Sequence, residues 1–600
     1  MGVGNIGEWL GRLQERVFIA SRMTALLLLA AFPVLLWLLD RRALGIEPTT
    51  YLAGWKVIGN AAPAILVMLV LWFVTRRLLF SVLLVGALHV LLYLASAIKL
   101  DVLGSPVGLQ DRYFLTSINR GSIEVLGAYA KGLPLLTWGA VAATVMMVAL
   151  LVERRWFAPR SWARWLGALV SVAVLTSLWH AGWPWSVLYT QQNVRASKEV
   201  SILGVLRSGL VSNLVYRHLE INNMPRVYDK AAFHGALAAT ASNAASASPR
   251  TASGEQPDIV VVMSESFIDP HILQGMGSMP ELIGNVRAQL EQGRGGMMRV
   301  PTYGGGTVRT EFEVLTGMPL SAFPATEFPY ADLPRRRMPG LAGVLARHGY
   351  TTLAVHGNSG SFWNRTSTYR SMGFQRFLAE PEFQKNGFRD GNWYSDESMT
   401  DIILEQMKQE PEKPKFVFAI SMQAHGPYIG GREVRDQSAW ESVAIPEKLQ
   451  GEAAMSLHGY LYHINKADAQ FGRLLRELEA RGRPYVLAFF GDHLPGLPDA
   501  YSALGFSDGQ IADGQPVPLV LIGGDEGTSL PKLRSPFFAW QLPERLLEMV
   551  GVDDPYFDFL RRAGRRMGET ESADERKLLF DGIRTAAVMQ LDGEFEGSLK

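Results

Sequence analysis

Cysteine is absent from all 600 residues. That excludes a disulfide-stapled fold, thiolate zinc sites, a cysteine nucleophile and any catalytic group made by oxidising cysteine. Charge of one sign is equally lacking: 58 basic and 57 acidic side chains leave a formal +1, so the bulk electrostatics point to no nucleic acid or other polyanion. A chain of this length is several times the usual domain size, which implies at least two structural units.

Apolar residues are unevenly spread. The first 185 residues hold five uncharged stretches, Met23 to Leu39, Val57 to Thr75, Leu78 to Ile98, Gly132 to Val152 and Trp165 to Trp185. Each approaches the roughly 20 residues a helix needs to cross a bilayer, so five spans are predicted over residues 23–185, after a short N-terminal segment, 1–22. Pro33, Pro63 and Pro134 lie in or near these spans, where membrane helices tolerate them. Arg12, Arg16 and Arg22 precede the first span, but bulky and charged residues follow it in place of a cleavage site, so it is expected to stay as an anchor. Arginines cluster in alternate loops: Arg76 and Arg77, then Arg154, Arg155, Arg160 and Arg164. That bias places the N-terminus inside the cytoplasm, and an odd number of spans puts the rest of the chain outside. His89 and His180, within spans and without acidic neighbours in sequence, are expected to pack or to lie at the lipid interface and not to relay protons.

Beyond the spans, Val194 to Val215 keeps helical apolar spacing with Lys198 and Arg207 interspersed, and predicts an amphipathic helix. Ala238 to Gly254 is almost wholly small and polar, which predicts a linker within the segment 186–256.

From Pro257 the texture changes to short β-branched runs alternating with amphipathic segments, the pattern of an α/β sheet covered by helices. Strands are predicted at Asp258 to Met263, Thr351 to His356, Lys415 to Ser421, Tyr485 to Phe490 and Pro518 to Ile522, with a helix from Leu457 to Leu478 before the fourth. Four of these runs lead into reactive residues: Ser264-Glu265-Ser266, His356-Gly357-Asn358, Gln423-Ala424-His425 and Gly491-Asp492-His493. Ligands of open α/β sheets bind at the carboxyl ends of strands. Two carboxylates and an imidazole there, Glu265, Asp492 and His493, suit a divalent ion such as Mn²⁺, Mg²⁺ or Zn²⁺. In Pro301-Thr302-Tyr303-Gly304-Gly305-Gly306-Thr307, three glycines let the backbone bring the Thr307 hydroxyl close to that ion, and a helix starting there would offer amide groups to a phosphate.

Taken as a set, Ser264-Glu265-Ser266, Gly306-Thr307 with Thr310-Glu311-Phe312, His356-Gly357-Asn358 with Phe362-Trp363-Asn364-Arg365, Ala424-His425-Gly426-Pro427 and Gly491-Asp492-His493 resemble lipoteichoic acid synthase and related phosphoglycerol transferases, of the sulfatase and alkaline phosphatase superfamily. The resemblance implies an extracytoplasmic mixed sheet flanked by helices over 257–545, behind five membrane helices, at the plasma or inner membrane. It implies one metal, Mn²⁺ above Mg²⁺ or Zn²⁺, on Glu265, Thr307, Asp492 and His493, with Thr307 as nucleophile. It places His356, Asn358, Trp363, Arg365 and His425 around the phosphoglycerol, Arg365 and His425 also serving catalysis. Thr366 stands where relatives often carry an acid, and Gly306 where they carry a lysine.

What the resemblance implies for activity is transfer of phosphoglycerol from phosphatidylglycerol to an envelope alcohol, either a polyglycerol phosphate chain or a periplasmic glucan. Runners-up are a phosphoethanolamine transferase, a phosphodiester hydrolase and a non-catalytic lipid sensor or scaffold. A threonine hydroxyl ionised by a dication could attack phosphorus, Arg365 could grip phosphoryl oxygens, and His425 could move protons. His271, His348, His458 and His463 lack such context and are expected to be ordinary. The tail 546–600, with Arg561, Arg562, Arg565 and Arg566 among acids, is expected to be solvated helix.

Overall fold

The computed structural model describes residues 3–45, 49, 55–103, 106–108, 135–180, 182–194, 205, 208–223, 228–241, 255–324, 326, 328–333, 337–428, 434–523, 533 and 535–599. The chain divides into two compact units, Met1–Met224 and Pro225–Lys600.

The first unit is helical. Its helices are Val3–Leu44, Lys56–Thr75, Leu78–Leu103, Leu135–Val152, Trp162–Trp179 and Leu210–Asn223, with two single turns between the last two. The first packs on the second and third, the second on Trp162–Trp179, and the third on Leu135–Val152. Ala25, Phe32, Leu36, Met68, Val82, Val85 and Tyr93 form their shared interior. Outward-facing positions are apolar too, among them Leu27, Leu91, Val145, Leu151 and Leu169, as suits a lipid-facing surface. Among the described residues four helices are long and apolar enough to cross a membrane, Glu15–Ala43, Lys56–Thr75, Leu78–Leu100 and Trp162–Trp179. The expected count of five is therefore four at full length plus one shorter apolar helix, because the expected span 132–152 begins with three residues outside the described ones. The last expected span ends earlier than its apolar run: the helix stops at Trp179, and Trp185 belongs to a separate turn. Glu153, buried just past the fourth helix, accepts the N–H groups of Leu79 and Phe80, which caps the third. Among the described residues His89 meets no acid; its Nδ1 bonds the Val85 carbonyl and its ring meets Phe32 edge-on. Most of the expected amphipathic helix after residue 194 lies outside the described residues, which show its end within Leu210–Asn223.

The second unit is built on one mixed sheet. Its strands are β1 (Asp258–Ser264), β2 (Gly295–Arg299), β3 (Thr351–His356), β4 (Arg376–Leu378), β7 (Lys415–Ile420), β8 (Tyr485–Gly491), β9 (Val517–Gly523) and β10 (Phe537–Phe538), in the order β10-β2-β9-β8-β1-β7-β3-β4; β5 (Arg389–Asp390) and β6 (Trp393–Tyr394) form a separate ribbon. β1, β3, β4, β7 and β8 run parallel, and β9 is antiparallel to both β8 and β2. The three central strands are buried along their whole length, which is why they read as unbroken apolar runs. All five predicted strands form, within one residue at each end.

Two expectations about this unit change. Ala238 and Ala239 are the end of a helix, Lys230–Ala239, that packs against Ala573–Asp592; the rest of the expected linker, 242–254, lies outside the described residues. The tail is helical, as expected, but only one of its faces is solvated. Helices Pro555–Glu569 and Ala573–Asp592 send Tyr556, Phe559, Leu560, Leu579, Ile583 and Ala586 into the main core, while the arginines occupy the opposite face.

Candidate active site

Register fixes the centre of the site. β1 and β8 pair in parallel with Ser264 opposite Gly491, so the next residues, Glu265 and Asp492, leave neighbouring strands side by side. Gly491 cannot carry a side chain, since a Cβ there would stand 1.9 Å from the Phe267 carbonyl oxygen. The loop after β1 is held by that same pair: the Ser266 N–H donates to Asp492 Oδ1 (2.7 Å) and the Ser266 hydroxyl to Glu265 Oε1 (3.0 Å). Ser266 adopts φ +54 to make this turn.

His493 follows Asp492 and is almost fully buried. Its Nδ1 donates to the Leu494 carbonyl (2.8 Å), which turns Nε2 toward the carboxylates, 3.5 Å from Glu265 Oε1 and 3.2 Å from Asp492 Oδ2. A ring nitrogen fixed from behind in this way is the arrangement of a metal-ligating histidine. Ligand atoms of Glu265, Asp492 and His493 all lie within 4.8 Å of one another. Asp492 Oδ2 is buried and its approach to His493 lacks hydrogen-bond geometry. Burial, and then the charge of Glu265, push the Asp492 carboxyl up to about 6. Burial disfavours charge on His493, but Asp492 and Glu265 outweigh it and raise its pKa. Two buried acids and an imidazole facing one point, with one oxygen unsatisfied, fit a divalent cation.

Thr307 closes the group. Three consecutive glycines, Gly304 (φ +65), Gly305 (φ +137) and Gly306 (φ +78), carry the backbone through conformations other residues avoid, and the Thr302 hydroxyl ties the loop by donating to the Gly305 carbonyl (2.6 Å). Thr307 then begins a helix, Thr307–Thr316. Its Oγ lies 3.4 Å from Glu265 Oε2 and 3.5 Å from His493 Nε2. Thr310, on the same helix, donates its hydroxyl to the Asp492 carbonyl (2.7 Å), locking the helix to the end of β8.

One turn further, Glu311 meets Arg365. Both are buried; Arg365 Nη2 and Nε reach Glu311 Oε2 at 2.8 and 3.0 Å, Nη1 reaches His356 Nε2 at 3.1 Å, and Tyr369 donates its hydroxyl to Glu311. Burial first, and the Arg365 charge second, hold His356 well below its usual range; neutral, it accepts from Arg365 at Nε2 while Nδ1 donates to the Ile420 carbonyl. Arg365, expected at the substrate, makes a structural contact here: the guanidinium braces the helix that carries Thr307.

The structure brings Glu265, Thr307, Asp492 and His493 together and, as a second cluster, His356 with Arg365. The remaining expected residues have local partners. Asn358 accepts the Ser359 N–H, and Trp363, at φ +59, stacks near Phe328 with ring centres 4.3 Å apart. His425 Nδ1 donates to the Gly426 carbonyl (2.6 Å), which leaves Nε2 to accept a proton. Its ring meets the edge of Trp393, and the two line a crevice with Asn392, Pro427 and His463.

Several residues here carry no sequence signal. Ser421 accepts the Glu265 N–H at 3.0 Å and lies beside Asp396, whose carboxyl burial pushes up to about 7. The Asp396 N–H donates to Gln423, which donates in turn to Asp390. His463, expected to be ordinary, is buried beside Gln423 and Asp390, and burial pushes it down to about 4. A group of buried polar side chains, Asp396, Gln423, Asp390 and His463, therefore lies between the Glu265 turn and the crevice that His463 shares with His425.

Residues 257–541 match the family model described as Sulfatase. A putative cyclic beta-1,2-glucan modification protein of Rhizobium meliloti (strain 1021) is 32% identical over 317 residues, 50% of this chain and 47% of that protein, so the match spans about half the relative's length. The lipoteichoic acid synthase of Staphylococcus saprophyticus is 21% identical over 156 residues, 24% of this chain and 22% of that protein. Among solved structures, the Streptococcus pyogenes phosphoglycerol transferase GacH in complex with sn-glycerol-1-phosphate covers 61% of this chain and 93% of its own, at 21% identity and a TM-score of 0.48.

Proposed function

We propose, from the match of residues 257–541 to the Sulfatase family model, that the chain is a membrane-anchored phosphoglycerol transferase: Thr307 takes phosphoglycerol from phosphatidylglycerol and passes it to a hydroxyl of an envelope acceptor. One observation carries the reading. The Thr307 hydroxyl lies within 3.5 Å of both Glu265 and His493 at the first residue of a helix, and the cysteine from which a sulfatase's catalytic group is usually made is absent from this chain.

Glu265, Asp492 and His493, with Thr307 as a fourth donor, would hold one divalent ion; when bound it supplies the positive charge that favours an ionised hydroxyl. The protein's own groups do the rest. Gly304 to Gly306 expose the amide end of the Thr307 helix to the phosphate. Thr307 Oγ bonds to phosphorus as the bond to the diacylglycerol oxygen breaks, and that oxygen leaves with the electron pair and takes up a proton. The product is phosphoglyceryl-Thr307 and diacylglycerol. His425, its Nδ1 tied to Gly426, presents Nε2 to accept the proton of the incoming acceptor hydroxyl, whose oxygen then displaces Thr307. Arg365, held by Glu311, keeps the Thr307 helix in place and His356 neutral beside it.

The relative named for cyclic glucan modification favours a glycan among the acceptors. Mn²⁺ is the metal we expect, and the sulfatase-family domain is expected outside the cytoplasm. The test is release of diacylglycerol from phosphatidylglycerol by purified protein. Thr307→Ala should abolish it while leaving the fold intact; release at the wild-type rate would remove Thr307 from the chemistry, and release from phosphatidylethanolamine alone would reassign the headgroup.

A further inference from the structure

At one end of the helical unit, arginines from three segments converge. The Arg22 guanidinium lies over the rings of Phe18 and Trp156, at 4.3 and 4.5 Å from their centres. Arg154 also lies over Phe18, and Arg164 over Trp165 at 4.4 Å. Trp156 donates its N–H to the Arg76 carbonyl, and Arg76 stands within the repulsive field of Arg77, Arg155 and Arg164. Among the described residues, none of these six arginines makes an ion pair. The acid in their midst, Glu153, is committed to the N–H groups of Leu79, Phe80 and the Trp156 indole.

Three of the guanidinium nitrogens are buried and have no acceptor: Nε of Arg22, Nη1 of Arg77 and Nε of Arg164. Arg164 as a whole is only 8% exposed. Burying cationic N–H groups without an acceptor is costly, and ring faces relieve only part of it. An anion with several oxygens is the complement of such a cluster.

Depth decides its source. The cluster sits where the helices Lys56–Thr75 and Leu135–Val152 end and where Leu78–Leu103 and Trp162–Trp179 begin. Trp162 and Trp165, exposed at 75% and 56%, mark the level at which aromatic side chains meet lipid headgroups. We propose that this end of the bundle, which the arginine bias assigns to the cytoplasm, is a binding site for the phosphate of an anionic phospholipid. The lipid is held there and not consumed, so the site is independent of the Thr307 chemistry. It neutralises arginines whose mutual repulsion otherwise loosens the loops joining the helices.

Phosphatidic acid is the probe, because it carries the phosphate but no glycerol headgroup to transfer. Full-length protein in an uncharged detergent is titrated with phosphatidic acid, with phosphatidylcholine and with inorganic phosphate, and lipid retention is read by native mass spectrometry beside thermal stability. Phosphatidic acid should be retained and stabilising, and the other two should not. Arg77→Gln and Arg164→Gln should each weaken retention by about fivefold; Arg160→Gln, whose exposed side chain lies outside the cluster, should not. Equal retention of phosphatidylcholine, or undiminished retention by Arg77→Gln, overturns the proposal. Equal stabilisation by inorganic phosphate shows a soluble-anion site instead. Should Arg164→Gln fail to fold, the lipid comparison on the wild type and Arg77→Gln decide the matter.

Discussion

Asp492→Asn should have opposite effects with and without metal. In the metal-free protein the Asp492 carboxyl is raised from 3.8 to about 6 by burial and by Glu265. A carboxyl raised on folding binds its proton more tightly in the native state, so stability is present in acid and is lost as pH climbs from about 4 to about 6. Above that window the full penalty remains, about 3 kcal/mol for a shift of this size. Asparagine keeps an oxygen for the Ser266 N–H but carries no charge. It also deprives His493 of a partner, which offsets part of the gain. The metal-free variant should therefore be more stable than wild type at pH 7.5 by roughly 1–3 kcal/mol. Added Mn²⁺ should stabilise the wild type by RT ln(1 + [L]/Kd), or about 2.7 kcal/mol at a hundredfold excess over Kd, and the variant far less. Thermal unfolding of chelator-treated protein, with and without Mn²⁺, reads both effects. A variant that is destabilised when metal-free yet keeps the whole Mn²⁺ response would refute the assignment of Asp492 as a ligand facing a like charge.

Other outcomes follow from the same geometry. Glu311→Gln strands the buried Arg365 cation, and should cost about 3–5 kcal/mol in chemical denaturation; the double change Glu311→Gln with Arg365→Met should recover much of that. Ser421→Ala removes the acceptor of the Glu265 N–H and should cost about 1–3 kcal/mol while weakening Mn²⁺ affinity by calorimetry; unchanged affinity would show that the Glu265 turn holds itself. His425→Gln should slow transfer to the acceptor by about 10²–10⁴-fold, measured as radiolabelled phosphoglycerol reaching a glucan oligosaccharide, and an undiminished rate would free His425 of proton transfer. Gly491→Ala, pressed against the Phe267 carbonyl, should yield no folded second unit by circular dichroism.

Much of the sheet was legible because its central strands are buried on both faces and so appear as uninterrupted apolar runs ending in Glu265, His356 and Asp492. Strand β2, Gly-Gly-Met-Met-Arg, one in from the sheet edge, carries no such pattern; it forms because β9 offers it an antiparallel partner and β10 a parallel one. The tail misled because Arg561, Arg562, Arg565 and Arg566 dominate its composition, while the residues that decide its packing, Tyr556, Phe559, Leu560 and Ala563, lie before and among them on the other face. In the site, Glu265, Thr307, Asp492 and His493 stood out as reactive types at strand ends and after a glycine loop. Glu311 was visible only as part of a motif, since its partner Arg365 lies 54 residues away. His463 was passed over for the same reason: Gln423 and Asp390, which give it a role, are distant in sequence and meet it only in the folded chain.

The central claim is that Thr307 carries the transferred group. Mass spectrometry of the full-length protein after incubation with phosphatidylglycerol and Mn²⁺, stopped before acceptor is added, should find one phosphoglycerol on the peptide containing Thr307, and none in Thr307→Ala. Diacylglycerol release with that peptide unmodified, or phosphoglycerol on a different residue, would contradict it.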